Sequence, residues 1–344
     1  MSTNVAVEGK GAKPIAPQPS LFRRIIQRPE TSIALVLIVL GLVLSQSSSA
    51  FLTPDNIFNI LRNNADIAIA ALGVTLVILT GGIDLSIGST MAFSGLMAAM
   101  AVSLGGTTAY QLPSFGLPPA IAFVIGVLAG ATVGLINGLL VVRLKVVPFI
   151  ATLGMLGVVR GLVVGLTSGQ TVRNFPIEFV NLGQGYLGPV PIPVIFLIVL
   201  AIVVGLFLSY HVWGTYIYAI GGNETSALLT GLPVNRVKLL AYTMSGALAG
   251  VGGVLVVARL GVSAPTHTQA LGYELFVIAA AVIGGVSLSG GRGTVLGAVL
   301  GAILIGVLNN ALVLLRVESY WQQAFTGGII LLSALIDRLR QRRS

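Results

Sequence analysis

Residues 215–238, TYIYAIGGNETSALLTGLPVNRVK, are the longest polar segment that lies between two strongly apolar regions of this sequence. Gly221 and Gly222 permit a sharp turn. Asn223 can then cap a short helix with Glu224 in its first turn, where a negative charge complements the helix dipole. A helix of roughly two turns is only marginally stable by itself in water. We therefore expect a partner protein to receive this helix and the rest of the chain to hold it in place.

The composition is that of a membrane protein. Of the 344 residues, 55% are apolar and 8% are charged, whereas soluble domains carry about 25% charged residues. The absence of cysteine excludes a disulfide framework or a thiol nucleophile, and two histidines argue against a zinc site. Because the basic residues behind the net charge of +9 lie beside apolar spans, we expect membrane lipid and no nucleic acid around this chain.

Apolar runs of the roughly 20 residues that cross a bilayer recur along the chain, and they predict an all-α integral membrane protein with about ten transmembrane helices. The spans lie at about 31–49, 65–80, 90–104 (after the GGIDLSIGS motif at 81–89), 120–142, 147–166, 191–210, 239–258, 273–285, 294–315 and 322–336. Residues 51–64 are assigned to a separate outer segment. Eight or twelve spans remain alternatives, because glycine-broken segments are hard to count.

The basic residues predict the orientation. Fourteen of the nineteen fall on one side of these spans, four (Arg62, Arg173, Arg259 and Arg316) fall on the other, and Arg160 lies within the fifth span. This asymmetry places both termini in the cytoplasm. Residues 1–30 are then a disordered cytoplasmic tail, residues 31–337 the membrane domain with a cytoplasmic loop at 215–238, and residues 338–344 a basic cytoplasmic tail.

Two pairs of segments suggest an internal repeat. VILTGGIDLSIGS (77–89) is similar to AVIGGVSLSGG (281–291), and LINGLLVVRLK (135–145) is similar to VLNNALVLLRVE (308–318). Duplicated halves around a midplane path are typical of transporters. The alternative is a chance likeness between apolar stretches, and the relative direction of the pairs stays open. The 44 glycines indicate close helix packing.

Asp84 is the most informative acidic residue, because a carboxylate at a membrane boundary is costly unless it is capped or wet. We expect it to cap the third span through the amides of Ser86 and Ile87, and also to be a fixed polar point on a path. Other polar groups in or near spans could line that path or simply bond a neighbouring helix. The path candidates are Gly82, Asp84, Ser86, Asn137, Thr152, Glu274 and Asn309.

Catalytic chemistry is not expected of this chain. Residues 288–291, LSGG, spell the start of the signature of ABC ATPases, but no G-x-x-x-x-G-K-[ST] phosphate loop is present. The sequence also offers no metal cluster and no nucleophile–base pair. We therefore expect no catalytic residue, no metal site and no cofactor bound by the chain itself.

Four motifs resemble the permease subunits of ribose-type sugar ABC importers: GGIDLSIGS, PFIATLGMLGVVRG (148–161), the segment 215–238 and the stretch 273–310. They occur in the same order as in that family, and the similarity runs from about residue 32 to 337. The resemblance implies a homodimeric permease in the bacterial inner membrane. It also implies a periplasmic sugar-binding protein above and a cytoplasmic ATPase below, often two fused cassettes, which binds ATP and Mg.

The same resemblance makes 215–238 the region that couples to the ATPase. The coupling candidates are Gly222, Asn223, Glu224, Ala227, Leu228, Gly231 and Val234. We expect Ala227, Leu228 and Val234 to be exposed, so that a groove on the partner can bury them. The expected function is import of a monosaccharide-like solute. The alternatives are a sister-family permease for amino acids, nucleosides or a furanosyl signalling molecule, and an ion-coupled secondary transporter.

Overall fold

The computed structural model describes residues 29–105, 114–264 and 272–318, together with Trp321, Ala324, Gly327 and Gly328. The N-terminal tail up to residue 28, most of the tenth predicted span and the basic tail at 338–344 lie outside the described residues. Residues 29 and 30, which the sequence assigned to the tail, belong to the first helix.

Within these ranges the chain forms helices connected by short loops and one small hairpin. The helices are α1 (Pro29–Ser47), α2 (Pro54–Leu79), α3 (Ile87–Val102), α4 (Pro119–Val142), α5 (Pro148–Thr167), α6 (Ile177–Gln184), α7 (Ile192–Tyr210), α8 (Val212–Gly222), α9 (Glu224–Leu229), α10 (Val234–Leu260), α11 (Tyr273–Ile283) and α12 (Val295–Leu314). The strands β1 (Tyr186–Leu187) and β2 (Val190–Pro191) pair antiparallel between α6 and α7.

Six of the described helices are long and apolar enough to cross a membrane: α2, α4, α5, α7, α10 and α12. Three shorter apolar helices, α1 (over Glu30–Gln46), α3 and α11, accompany them. These nine correspond to the first nine spans expected from the sequence. A multi-pass membrane protein is therefore confirmed, whereas ten spans and the orientation of the termini stay predictions.

The assignment of residues 51–64 to a separate outer segment is wrong, because α2 runs without interruption from Pro54 to Leu79. The Thr53 hydroxyl accepts a hydrogen bond from the Asn56 amide and so caps the helix, and Pro54 occupies its first turn. Polar side chains in its first half are satisfied by distant partners. The pairs are Asn56 with Asn310, Arg62 with Tyr186, and Asp66 with Arg259.

Helices α2 and α10 lie at the centre of the bundle and are buried over most of their length. Helix α4 packs on α10 through glycines at every fourth position: Gly126, Gly130, Gly134 and Gly138. A methyl group at Gly130 or Gly134 would collide with the α10 backbone. This close approach is how helices associate in lipid, where no hydrophobic force drives them together, and it confirms the packing role expected of the glycines.

The bundle has two ends, which we name by their contents. The α9 end holds α9, the C-terminus of α2 and the start of α10. The far end holds the hairpin, the bridge between Val172 and Ser263, and the start of α2.

The first pair of repeat segments is a repeated local structure. Helices α2 and α11 both end in a Schellman motif, in which a glycine with positive φ is followed by an amide that bonds five residues back. The glycines are Gly81 (φ 78°) and Gly285 (φ 86°), and the bonds are Gly82 N to Val77 O at 3.1 Å and Val286 N to Ala281 O at 3.0 Å. The first break, residues 80–86, leads into α3, and the second break, residues 284–294, leads into α12.

The second pair of repeat segments lies at opposite ends of the bundle. In 135–145, Asn137 bonds to Ser86 beside the first break. In 308–318, Asn310 bonds to Asn56 in the first turn of α2, at the far end. The two pairs therefore do not belong to one parallel duplication.

Candidate functional site

The break between α2 and α3 holds a buried polar cluster. Asp84 Oδ1 accepts hydrogen bonds from the Ser86 amide at 3.0 Å and from the Ser86 hydroxyl at 2.7 Å. The Asn137 side-chain amide on α4 donates to the same hydroxyl at 2.8 Å. The bond to the Ser86 amide is as predicted. However, Ser86 is the residue at the N-cap of α3, so Asp84 closes a turn ahead of the helix and does not cap it.

The backbone of the same break is bonded from two sides. The Ile83 carbonyl accepts from the Thr152 hydroxyl on α5 and from the Tyr242 hydroxyl on α10, each at 3.3 Å. Gly82 is required here, because a Cβ atom would lie 2.7 Å from the Tyr242 oxygen. Sequence reasoning missed Tyr242; its hydroxyl within an apolar span was the available signal, since a buried hydroxyl needs a partner.

We call Asp84, Ser86, Asn137, Thr152 and Tyr242 the polar cluster. Its side chains are buried within the bundle. The Asn137 side-chain oxygen meets no hydrogen-bond donor in the described part of the chain. Buried amide oxygens are normally satisfied by protein or by ordered water, so this atom is an acceptor that water or a polar solute can use.

Glu274 lies against the first turn of α3, next to the polar cluster. Its carboxylate is 3.4 Å from the Arg160 guanidinium of α5. A Cβ atom at Gly88 in the first turn of α3 would lie 2.9 Å from the Glu274 amide. The N-terminus of α11 therefore packs directly on the start of α3, whose N-cap belongs to the polar cluster.

Asn309 is not part of this arrangement. It lies half-buried on α12, next to Asn310, which bonds with Asn56 at the far end. The structure thus brings together Gly82, Asp84, Ser86, Asn137 and Thr152, places Glu274 close by and leaves Asn309 apart.

A second ion pair joins α2 and α10. The Asp66 carboxylate, 2% exposed, is 3.3 Å from the Arg259 guanidinium, which also donates to Asn63 at 3.3 Å. The sequence offered a signal for this pair, because a carboxylate and an arginine both lie near the ends of predicted spans on the same side.

The segment from α8 to α10 contains the predicted short helix. The Asn223 side chain accepts a hydrogen bond from the Ser226 amide at 2.9 Å, as expected of a cap, and Gly231 (φ 79°) follows the helix. Glu224 in the first turn forms an ion pair with Lys238 at 2.7 Å. The turn itself occurs at Asn223, because Gly222 is still the last residue of α8.

The prediction that Ala227, Leu228 and Val234 are all exposed is wrong for two of the three residues. Ala227 and Val234 are 4% and 2% exposed and belong to the core of this chain, whereas Leu228 is 55% exposed. Leu229, which sequence reasoning did not single out, is 85% exposed. Ala227 and Val234 are buried because α9 folds back on the bundle, so only the two leucines present an apolar surface.

Helix α8 is tied to the second break by a polar contact. The Tyr218 hydroxyl donates to the Gly293 carbonyl at 2.9 Å, and the Thr294 hydroxyl that follows donates to Glu30 at 2.6 Å. Burial raises the pKa of the Tyr218 phenol above its ordinary value, and the Glu30 carboxylate raises it further. The phenol therefore keeps its proton, and its donor role, at neutral pH.

These features, a multi-pass helical bundle with two broken helix pairs and a buried polar cluster, define the class of membrane transport proteins. Residues 56–334 match the family described as branched-chain amino acid transport system / permease component. The chain belongs to this permease family.

Three sugar permeases are similar to this chain over most of its length. The chain is 41% identical to the ribose import permease protein of Bacillus subtilis over 305 residues, 88% of this chain and 90% of that protein. It is 37% identical to the L-arabinose ABC transporter permease protein of Azospirillum brasilense, over 91% and 89% of the two chains. For the D-allose transport system permease protein of Escherichia coli the identity is 35%, over 89% and 90%. No solved structure matches.

Proposed function

We propose that this chain is the transmembrane permease subunit of an ATP-binding-cassette importer, and that it moves a monosaccharide-like solute across the bacterial inner membrane. The observation that carries the proposal is similarity over nearly the whole chain to permeases named for ribose, L-arabinose and D-allose. As a transport subunit it binds no cofactor itself. ATP and Mg belong to a cytoplasmic ATPase partner, which can be a fused double cassette.

Helix α9 is the element that we assign to the ATPase. Leu228 and Leu229 present an apolar surface, flanked by the ion pair of Glu224 with Lys238. An apolar stripe on a short helix with a charged rim suits a groove on a partner protein. Asn223 and Gly231 fix the ends of this helix, and Gly222 joins it to α8.

This assignment orients the chain with the α9 end in the cytoplasm. Arg143, Lys145, Arg236, Lys238 and Arg292 lie in described loops or helix starts at that end, against four basic residues at the other. The larger excess of basic residues on the α9 side of the whole sequence therefore comes mainly from the two tails. A periplasmic sugar-binding protein then meets the far end.

The solute path is assigned to the polar cluster and Glu274. Hydroxyl, amide and carboxylate groups that are buried among apolar helices can replace water around a polar solute. The orphaned side-chain oxygen of Asn137 supports this choice.

A second copy of the permease completes the path. Helix α5 carries Gly154, Gly157, Gly161 and Gly165, and a Cβ atom on any of them would meet nothing within 4 Å in the described part of the chain. In α4, by contrast, the space beside similarly spaced glycines is filled by α10. The glycine side of α5 supports a close helix contact with a second copy.

The test of the coupling assignment replaces Leu229 by Asp. The side chain is exposed, so the permease folds and reaches the membrane, but it no longer retains the ATPase on purification and uptake is lost. Leu187→Asp is the matched control, because Leu187 is 70% exposed on the far-end hairpin and is expected to keep the ATPase. Full retention of the ATPase by Leu229→Asp would remove α9 from this role.

The solute class is tested by uptake of radiolabelled ribose, L-arabinose and D-allose in cells with and without this chain. We expect the uptake of at least one of these sugars to require this chain. The family description favours a second candidate, a branched-chain amino acid. Uptake of labelled leucine but of no sugar would establish that candidate instead.

A further inference from the structure

The two breaks and the coupling segment meet in one place, backbone against backbone. The Gly291 amide in the second break donates to the carbonyl of Leu79, the last residue of α2, at 3.0 Å. Gly221 in α8 lies against both, because a Cβ atom there would collide with the Leu79 carbonyl and the Gly291 amide. We call Gly221, Gly290 and Gly291 the glycine junction.

None of the three glycines has room for a side chain. A Cβ atom on Gly290 would lie 2.8 Å from the Gly221 carbonyl and 3.0 Å from the Gly81 amide. One on Gly291 would lie 2.7 Å from the Gly222 amide. Both glycines also have positive φ, 85° and 69°, which other residues rarely adopt.

Such a contact is mechanically stiff. Side chains absorb small shifts by changing rotamer, whereas packed backbones have no such freedom. A displacement of α8 and α9 must therefore displace the end of α2 and the second break together. Four residues beyond Leu79, the Ile83 carbonyl is held by Thr152 and Tyr242 in the polar cluster.

We propose that the glycine junction is the positioning element that transmits movement of α9 to both breaks, and through the first break to the polar cluster. This proposal rests on the proposed coupling of α9 to an ATPase. Gly221, Gly290 and Gly291 touch neither partner nor solute. They act by fixing the coupling segment to the end of α2 and to the second break.

The test compares two helical glycines. Gly221→Ala introduces a methyl group where Leu79 and Gly291 lie, whereas Gly205→Ala in α7 introduces one into open space. Both variants are assembled with the ATPase and sugar-binding protein in proteoliposomes, and ribose uptake and ATP hydrolysis are measured together. For Gly221→Ala we expect normal retention of the ATPase but about a tenfold fall in sugar moved per ATP, within the range of ordinary coupling between sites. Gly205→Ala is expected to match the wild type.

Two results would overturn the proposal: a wild-type ratio of uptake to hydrolysis in Gly221→Ala, or loss of the ATPase from that variant. The second result would place the junction in docking and not in transmission. Failure of α9 coupling itself is recognised separately, because Leu229→Asp would then retain the ATPase.

A second measurement covers the case in which Gly221→Ala does not fold. Spin labels are attached to Thr225→Cys on α9 and Leu288→Cys in the second break, both exposed positions of a chain without cysteine. Samples that carry only one labelled cysteine per chain give the distances between two copies of the permease, so that these can be told apart from distances within one copy. We expect the Thr225–Leu288 distance to stay the same between nucleotide-free and ATP-trapped complexes, while the distance from Thr225 to Leu187→Cys changes. A Thr225–Leu288 distance that changes by as much would contradict transmission through the junction.

Discussion

At the scale of single residues, the Ser86 hydroxyl is the centre of the polar cluster. It donates to Asp84 and accepts from Asn137, so one atom satisfies a carboxylate of the break and an amide of α4. This arrangement holds the break against α4 without any charge opposite Asp84 in the described part of the cluster.

Removing this hydroxyl is expected to cost stability. Ser86→Ala leaves the buried Asn137 side-chain amide without its acceptor and leaves Asp84 Oδ1 with the Ser86 backbone amide alone, and we expect a loss of about 2 kcal/mol in the free energy of unfolding. Ser89→Ala is the control, because the Ser89 hydroxyl bonds only the Ser86 carbonyl of its own turn and its loss costs much less. Thermal unfolding of the purified permease in detergent measures both. Equal losses would show that Ser86 does not organise the cluster.

The Asp66–Arg259 pair gives a second prediction. Arg259→Gln leaves the Asp66 carboxylate buried without its partner, which is expected to cost about 3 kcal/mol or more. The double variant with Asp66→Asn recovers much of that loss. Lys238→Gln, which breaks the pair with half-exposed Glu224, is expected to cost less than about 1 kcal/mol. Similar losses from Arg259→Gln and Lys238→Gln in thermal unfolding would contradict this ranking.

At the scale of elements, α9 shows what local sequence can predict. Its cap could be predicted because the bond from Asn223 to the Ser226 amide involves neighbouring residues only. The burial of Ala227 could not, since it depends on how α9 folds back against the rest of the chain. The continuity of α2 was missed for the same reason: Arg62 and Asp66 in its first half are satisfied by Tyr186 and Arg259, which lie more than a hundred residues away in the sequence.

The cap of α9 is expected to matter for partner binding. A six-residue helix has little stability of its own, so Asn223→Ala is expected to weaken binding of the ATPase about fivefold through loss of the cap. Asn223→Asp keeps a capping oxygen and is expected to bind like the wild type. The affinity of detergent-purified permease for the ATPase measures both variants. Unchanged affinity in Asn223→Ala would mean that α9 is held by its contacts with the bundle alone.

At the scale of the whole molecule, the sequence predicted the membrane class, the glycine packing and the two breaks. Each of these follows from composition or from a short motif. It did not predict that the two breaks meet, because the bond between Leu79 and Gly291 joins residues that only the assembled bundle brings together. Nor did it place Asn309, whose position depends on how α12 packs against α2.

Orientation can be tested with single cysteines, since the chain has none of its own. In intact spheroplasts, Leu187→Cys at the far end is expected to react with an impermeant maleimide added outside. Thr225→Cys on α9 is expected to react only after the membrane is opened. The reverse labelling pattern would invert the proposed topology and remove α9 from the cytoplasm.

The central claim, that this chain imports its solute at the expense of ATP hydrolysed by a partner, is tested most directly in proteoliposomes. The permease is reconstituted with the ATPase, the sugar-binding protein is added outside and ATP is trapped inside. We predict accumulation of labelled ribose, L-arabinose or D-allose that requires internal ATP, the ATPase and the binding protein together, and that proton or sodium gradients do not replace. Accumulation driven by an ion gradient in vesicles that contain the permease alone would contradict the account and identify an ion-coupled secondary transporter.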